Sequence, residues 1–128
     1  MEPLIDFNYL QELSGGDHKY MYELLDIYLS NTPDGVTQLD KLIDQGKDWE
    51  AIWKQAHFLK SSAGIVKIRD MHPQLLQIEQ LGRKHEGLDE IKASMAKMKI
   101  TFAEALPILT AEKEKHKKEA GITDDAVQ

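Results

Sequence analysis

Residues 88–109 read LDEIKASMAKMKITFAEALPIL, and within them Leu88, Ile91, Met95, Met98, Phe102, Leu106 and Leu109 recur at steps of three and four. A helix of 3.6 residues per turn aligns such positions along one side, so the stretch predicts a long helix with one narrow apolar seam that can bend at Pro107. The seam must be covered by something, and the rest of the chain supplies partners of the same kind. No run of four or more residues alternates apolar and polar between turn signals, as a half-buried strand would. The pattern predicts an all-α fold.

Upstream, Met71, Leu75 and Ile78 predict a helix that begins near Asp70, tolerates Pro73 in its first turn and ends around Gly87. Ile52, Ala56, Leu59, Ala63 and Val66, spaced 4, 3, 4, 3, predict another from about Asp48 to Lys67, with Gly46 closing the helix before it and Asp48 as cap. Met21, Leu25, Tyr28, Val36, Leu39 and Ile43 keep one phase across Pro33. That phase favours a single kinked helix opened by Asp17. A break with Thr32 as a new cap competes, because proline lacks a backbone donor and crowds the preceding turn. A short first helix is expected after the cap Asp6, with Phe7 and Leu10 turned inward and a stop at Ser14-Gly15-Gly16. Four long amphipathic helices on short connections can bury their stripes only against one another. The expected architecture is an antiparallel up-and-down four-helix bundle with a short additional N-terminal helix, one domain over residues 1–119 and a disordered tail over 120–128.

At 128 residues the chain is long enough for one core that buries about two-thirds of its unfolded surface. It contains no cysteine, which removes disulfides, thiolate metal sites and a cysteine nucleophile together and fits a reducing compartment. The start, MEPLIDFNYL, has no basic region followed by an apolar run, and no stretch approaches the ~18 apolar residues of a membrane span. A cytoplasmic monomer without a membrane partner is expected. A net charge of −6 argues against nucleic acid, and the basic cluster Lys113 to Lys118, interleaved with Glu112, Glu114 and Glu119, reads as a solvated helix end. There is no glycine-rich phosphate loop, Walker motif or kinase nucleotide box, so neither ATP binding nor self-phosphorylation nor a cofactor of its own is expected. A di-iron bundle needs Glu-x-x-His pairs, and none of His18, His57, His72, His85 or His116 has a carboxylate three residues before it, so no metal is expected.

The chemistry-bearing residues lie on the third long helix. With the stripe centred on Leu59 facing the core and ~100° per residue, His57 points away from it, Ser61 and Gly64 share its outer face, and Lys60 sits on the flank. Free imidazole titrates near ~6.5, so a solvent-facing ring offers an unprotonated nitrogen as a nucleophile toward phosphorus at neutral pH. Lys60 could neutralise an arriving phosphoryl group, while Ser61 and Gly64 leave room for a partner to close over the ring. Glycine inside a helix costs ~1 kcal/mol against alanine, so Gly64 asks for a reason such as close approach or else marks a fraying end. An acceptor for the other ring nitrogen would fix the tautomer. Glu79 on the neighbouring helix is the candidate, and Gly82 one turn on would let the two helices pack closely. A surface histidine beside a lysine is by itself common on helices.

The segment His57-Phe58-Leu59-Lys60-Ser61-Ser62-Ala63-Gly64 resembles the signature of the histidine phosphotransfer (HPt) family, which runs His, any residue, an apolar residue, Lys, then small residues. Ile78 to Lys84 resembles the family's next helix, and Phe7 to Leu13 with the following Ser-Gly-Gly-Asp, Tyr28 to Pro33, and the Gly-Lys-Asp-Trp link fit its layout. The similarity covers roughly residues 5 to 105. It implies a phosphocarrier, not an enzyme, that relays a phosphoryl group between receiver-domain aspartates through phospho-His57. Lys60 would stabilise the phosphate, and Glu79 stands where the family has a Gln or Glu that bonds the ring. As a carboxylate it would repel the phosphoryl group if it came too close. Ser61 replaces the family's more frequent Gly, and Lys67 replaces another, which bears on the end of the helix more than on the chemistry. The implied partners are receiver domains of response regulators or hybrid kinases, which would bring their own aspartates and a divalent cation. The family docks them on an apolar patch beside the histidine, here Tyr9, Leu13, Leu24, Ile27 and Asn31, with Tyr20 in the same stripe. A wider core is the competing use of these side chains. The competing function is a helical adaptor that docks receivers without phosphotransfer.

Overall fold

The computed structural model describes residues 3–122. Five α-helices follow one another: α1 (Asn8–Ser14), α2 (His18–Gln45), α3 (Trp49–Ser62), α4 (Met71–Lys84) and α5 (Leu88–Glu119). Two two-residue strands, β1 (Ile5–Asp6) and β2 (Lys67–Ile68), pair antiparallel, with Ile5 opposite Ile68 and Asp6 opposite Lys67. The pattern predicted no strand. Two residues are too few to show an alternation, and this pairing joins segments far apart in sequence.

The helix boundaries follow from local chemistry. Asp6 is not the N-cap of α1, a position held by Phe7, but its Oδ1 accepts the Asn8 N–H at 2.8 Å. Gly15, at φ 64°, ends α1 in the left-handed conformation that glycine takes without a Cβ clash. Asp17 accepts the Tyr20 N–H at 3.1 Å and opens α2. This helix runs through Pro33 as one element, and Thr32 is buried in it and does not cap a new one. Pro33 has no N–H for the preceding turn, and nearby polar side chains bond back to carbonyls there: Ser30 to Asp26 O at 2.8 Å and Asn31 to Ile27 O at 3.1 Å. Asp48 accepts the Ala51 N–H at 3.0 Å and opens α3.

Two helices stop earlier than their apolar spacing suggests. α3 ends at Ser62, not near Lys67, and a 3₁₀ turn (Ala63–Ile65) leads to Val66 in extended conformation. Val66 is still buried, because the extended backbone delivers it to the core that the helical spacing pointed to; the Ala63 side chain lies outside the described positions. α4 ends at Lys84, not at Gly87. His85 takes the left-handed conformation at φ 55°, with the His85 N–H bonded to Gly82 O and the Glu86 N–H to Leu81 O.

The core is built by a closed circuit of contacts: α2 packs on α3 and α5, and α4 packs on α3 and α5. Leu25, Leu39, Ile52, Leu59, Leu75, Ile78, Ile91, Met98 and Leu109 are fully buried in it, each such side chain contributing about 1.5–3 kcal/mol by leaving water. Along α5 the seam holds at Ile91, Met95, Met98, Phe102 and Leu109, whereas Leu88 and Leu106 are only half-buried and Ser94, Ala105 and His116 join the interior. Lys113 pairs with Asp26 on α2 at 2.9 Å and lies over the Tyr22 ring, so the basic end of α5 is docked and not merely solvated. Ala120, Gly121 and Ile122 close α5 through N–H bonds to His116, Lys118 and Lys117 carbonyls; the remainder of the expected tail, 123–128, lies outside the described residues. No described helix is long and apolar enough to cross a membrane.

Candidate functional site

The site begins with the packing of α3 against α4. Gly82 faces Trp53 so closely that a Cβ on it would sit 2.9 Å from Trp53 Cβ, and the helices meet there as the sequence suggested. This approach brings Glu79, one turn before Gly82, under the outer face of α3. Its side chain is 8 % exposed, yet three polar groups converge on it. His57 Nδ1 lies 3.2 Å from Glu79 Oε2, Lys60 Nζ lies 2.9 Å from Oε1, and Arg83 reaches Oε2 with Nε at 3.2 Å and a terminal nitrogen at 3.1 Å. Burial pushes the Glu79 carboxyl up, but hydrogen bonds from Lys60 and Arg83, the Lys60 charge and the His57 bond outweigh it and hold the group below its ordinary 4.5. Glu79 is therefore a carboxylate at neutral pH.

A carboxylate at Nδ1 fixes the imidazole. It accepts the Nδ1–H, so the lone pair of the neutral ring resides on Nε2. The His57 side chain is 52 % exposed, Ser61 and Gly64 are exposed beside it, and a Cβ on Gly64 would meet nothing within 4 Å. Because α3 ends at Ser62, Gly64 lies in the 3₁₀ turn and not within a helix, and its open surroundings, not helix strain, are its contribution. Lys60 is not a loose cation: it is tied to Glu79 on the flank of the ring.

Sequence reasoning missed Arg83 and Trp53. The Arg83 guanidinium stacks on Trp53 at 3.9 Å from the ring centroid while it bonds Glu79. The signal was present as Glu79 and Arg83 at i and i+4, with the acid on the N-terminal side as such pairs prefer. The two cations also bear on the repulsion expected of Glu79, since its charge is matched by Lys60 on one oxygen and Arg83 on the other.

Of the expected docking residues, Tyr9, Leu13, Ile27 and Asn31 are exposed, as is Tyr20. Leu24 is half-buried and packs against the core, the wider-core use of that position. Ile27 and Asn31 share a groove between α2 and α3 with Phe58, Gln55 and Ser62, whereas Tyr9 and Leu13 line no part of it. Phe58, next to the phosphoacceptor candidate and 56 % exposed, was not singled out by the sequence pattern. Among the described residues no group of three or more His, Asp or Glu side chains is arranged to hold a metal ion.

A family model for the Hpt domain matches residues 23–107, which take in most of α2, all of α3 and α4, and much of α5. The chain belongs to the Hpt family. Comparison with curated proteins and with solved structures gave no match. Hpt domains have a phosphotransfer role in two-component signalling, are phosphocarriers and not catalytic enzymes, and interact with receiver domains. All four members of the Glu79 cluster fall inside the Hpt match, while α1, His18 and His116 fall outside it.

Proposed function

We propose that this Hpt domain relays a phosphoryl group between receiver aspartates in the cytoplasm, with Nε2 of His57 as the acceptor. The observation that carries this reading is the Glu79 carboxylate on Nδ1, which leaves Nε2 as the free nitrogen of a ring standing half in water. In the forward step the Nε2 lone pair attacks phosphorus, the N–P bond forms, the acyl phosphate P–O bond breaks and the receiver carboxylate leaves. The proton on Nδ1 stays there, so the ring gains positive charge, which Glu79 is placed to stabilise. The return step runs the same bonds in reverse on a second receiver. The receiver supplies its aspartate cluster and divalent cation, and positioning with charge neutralisation supplies the rate.

Lys60 shares Glu79 with the ring and would swing part of its charge from Glu79 to the phosphoryl oxygens. Ile27, Asn31 and Phe58 form the floor on which a receiver settles, with Tyr9, Leu13 and Tyr20 extending the apolar face on α1 and the start of α2. An up-and-down bundle is the scaffold proposed with it: the three-residue links at 46–48 and 85–87 favour antiparallel neighbours for α2–α3 and α4–α5. The test is incubation with receivers carrying radiolabelled phosphate. Label on the chain that is acid-labile, alkali-stable and mapped to His57 is expected. Absence of transfer from several cognate receivers would overturn the proposal.

A further inference from the structure

Where α3 gives way early, a pocket opens beside the His57 site; it shares Lys60 and Gly64 with that site, but the proposed relay makes no use of its apolar floor, Lys67 or His72. Its volume is about 440 Å³, inside the roughly 300–1,000 Å³ of small-molecule sites. Val66, Ile68, Met71 and Leu75 make an apolar floor, Lys60, Lys67 and His72 stand around it, and no acidic residue lines it. In a chain of net charge −6 that is an unusual rim. Lys60 is engaged by Glu79, but Lys67 and His72 form no ion pair among the described residues. Asp6, opposite Lys67 in the strand pair, directs its Oδ1 to the Asn8 N–H at 2.8 Å instead. Lys67 is exposed and contributes charge to the pocket rim.

The geometry points to a binding site for a small amphipathic carboxylate, its apolar body over Ile68 and the aliphatic stems of the lining lysines and its headgroup toward Lys67 and His72. A neutral amphiphile would fill the floor but leave Lys67 without a partner, a cationic one would be repelled, and a polyanion would bring no apolar body to the floor. The site stands on the pocket alone, so its test does not depend on phosphotransfer.

The experiment is a titration of the ¹⁵N-labelled full chain with sodium octanoate at fixed ionic strength, followed by amide shifts, with 1-octanol and octyltrimethylammonium as parallel probes. Saturable octanoate shifts centred on residues 64–75 are expected, with 1-octanol weaker by about tenfold and octyltrimethylammonium not saturating. Lys67→Glu and His72→Glu, both at exposed positions, should each weaken octanoate by about tenfold while the rest of the spectrum stays in place. The inference is overturned if octanoate gives no saturable shift, if 1-octanol binds as well, if neither variant matters, or if the shifts centre on Tyr9, Ile27 and Phe58. Should one variant fail to fold, the other variant and the three probes on the natural chain decide.

Discussion

His57 and His116 each meet a partner on another helix through Nδ1, and their fates differ. His57 gives Nδ1 to Glu79 at 3.2 Å and keeps its other edge in water. His116, in the last turn of α5, is 3 % exposed and has both edges occupied: Nδ1 lies 2.8 Å from Nδ1 of His18, and Nε2 lies 3.2 Å from Glu112 Oε1. Burial pushes the His116 imidazole below its ordinary range; Glu112 opposes this, and the neighbouring His18 and Lys115 add to it. The neutral ring then has one consistent arrangement, with Nε2–H donating to Glu112 and Nδ1 accepting from the Nδ1–H of His18. No lone pair is left to react. In the proposed relay one ring carries the group; the other clasps the end of α5 to the start of α2. Reactivity depends on which nitrogen the surroundings leave free.

The widest separation between the two is expected from glutamine substitutions. His57→Gln should abolish labelling from a phosphorylated receiver while leaving thermal unfolding nearly unchanged, because the side chain is exposed. His116→Gln should do the reverse, lowering the unfolding temperature and keeping the label. Transfer to a His57→Gln chain, or loss of transfer in a folded His116→Gln chain, would break the distinction. Next in size is Glu79→Ala. It removes a buried acceptor from three donors, two of which can turn toward water, so about 2 kcal/mol of stability should be lost in urea unfolding. Transfer should also slow by about tenfold, because nothing then selects the tautomer with Nε2 free. An unaltered rate would mean that Glu79 only holds helices together.

A smaller, directional effect separates the sites by pH. His116 binds a proton more weakly folded than unfolded, so its contribution is fully present above about 6.5 and is lost as pH falls from there toward its lowered folded value. Glu79 also has a lowered folded value, but as a carboxylate it keeps its contribution down to its ordinary 4.5 and loses it only below that. Urea midpoints taken from pH 7.5 to 3.5 should therefore fall in two windows. His116→Leu should flatten the upper one and Glu79→Gln should diminish the lower one. A single window unaffected by His116→Leu would remove the clasp from the account.

The comparison also marks what the sequence could reveal. The Leu59 stripe set the direction of His57, and the Gly82 and Glu79 pair predicted where α4 would meet it, because periodicity and small residues are local signals. The seam of α5 was legible for the same reason. The His18–His116 contact was not, since it joins residues 98 positions apart and no spacing rule links the start of one helix to the end of another. The early end of α3 was hidden because Val66 falls on the helical stripe yet reaches the core from extended backbone. Lys113 looked solvated because its partner Asp26 lies on α2.

The smallest expected effect falls on Arg83, and it sharpens what kind of site His57 occupies. The Arg83 side chain is half exposed, so its ion pair with Glu79 is screened, and Arg83→Gln should cost no more than about 1 kcal/mol through the pair and the Trp53 stack together. Its electrical effect is larger than its structural one. With Arg83 gone, Lys60 alone balances Glu79, and Lys60 is also the group proposed to meet the arriving phosphoryl oxygens. Arg83→Gln should therefore slow transfer by a few-fold, and added salt, which screens the uncovered carboxylate, should recover part of the loss. Arg83→Lys keeps the charge but not the flat stack; it should restore the rate while Trp53 fluorescence still shifts. If Arg83→Lys is as slow as Arg83→Gln, the guanidinium acts by holding Trp53 and α3 in place, and charge balance is not its contribution.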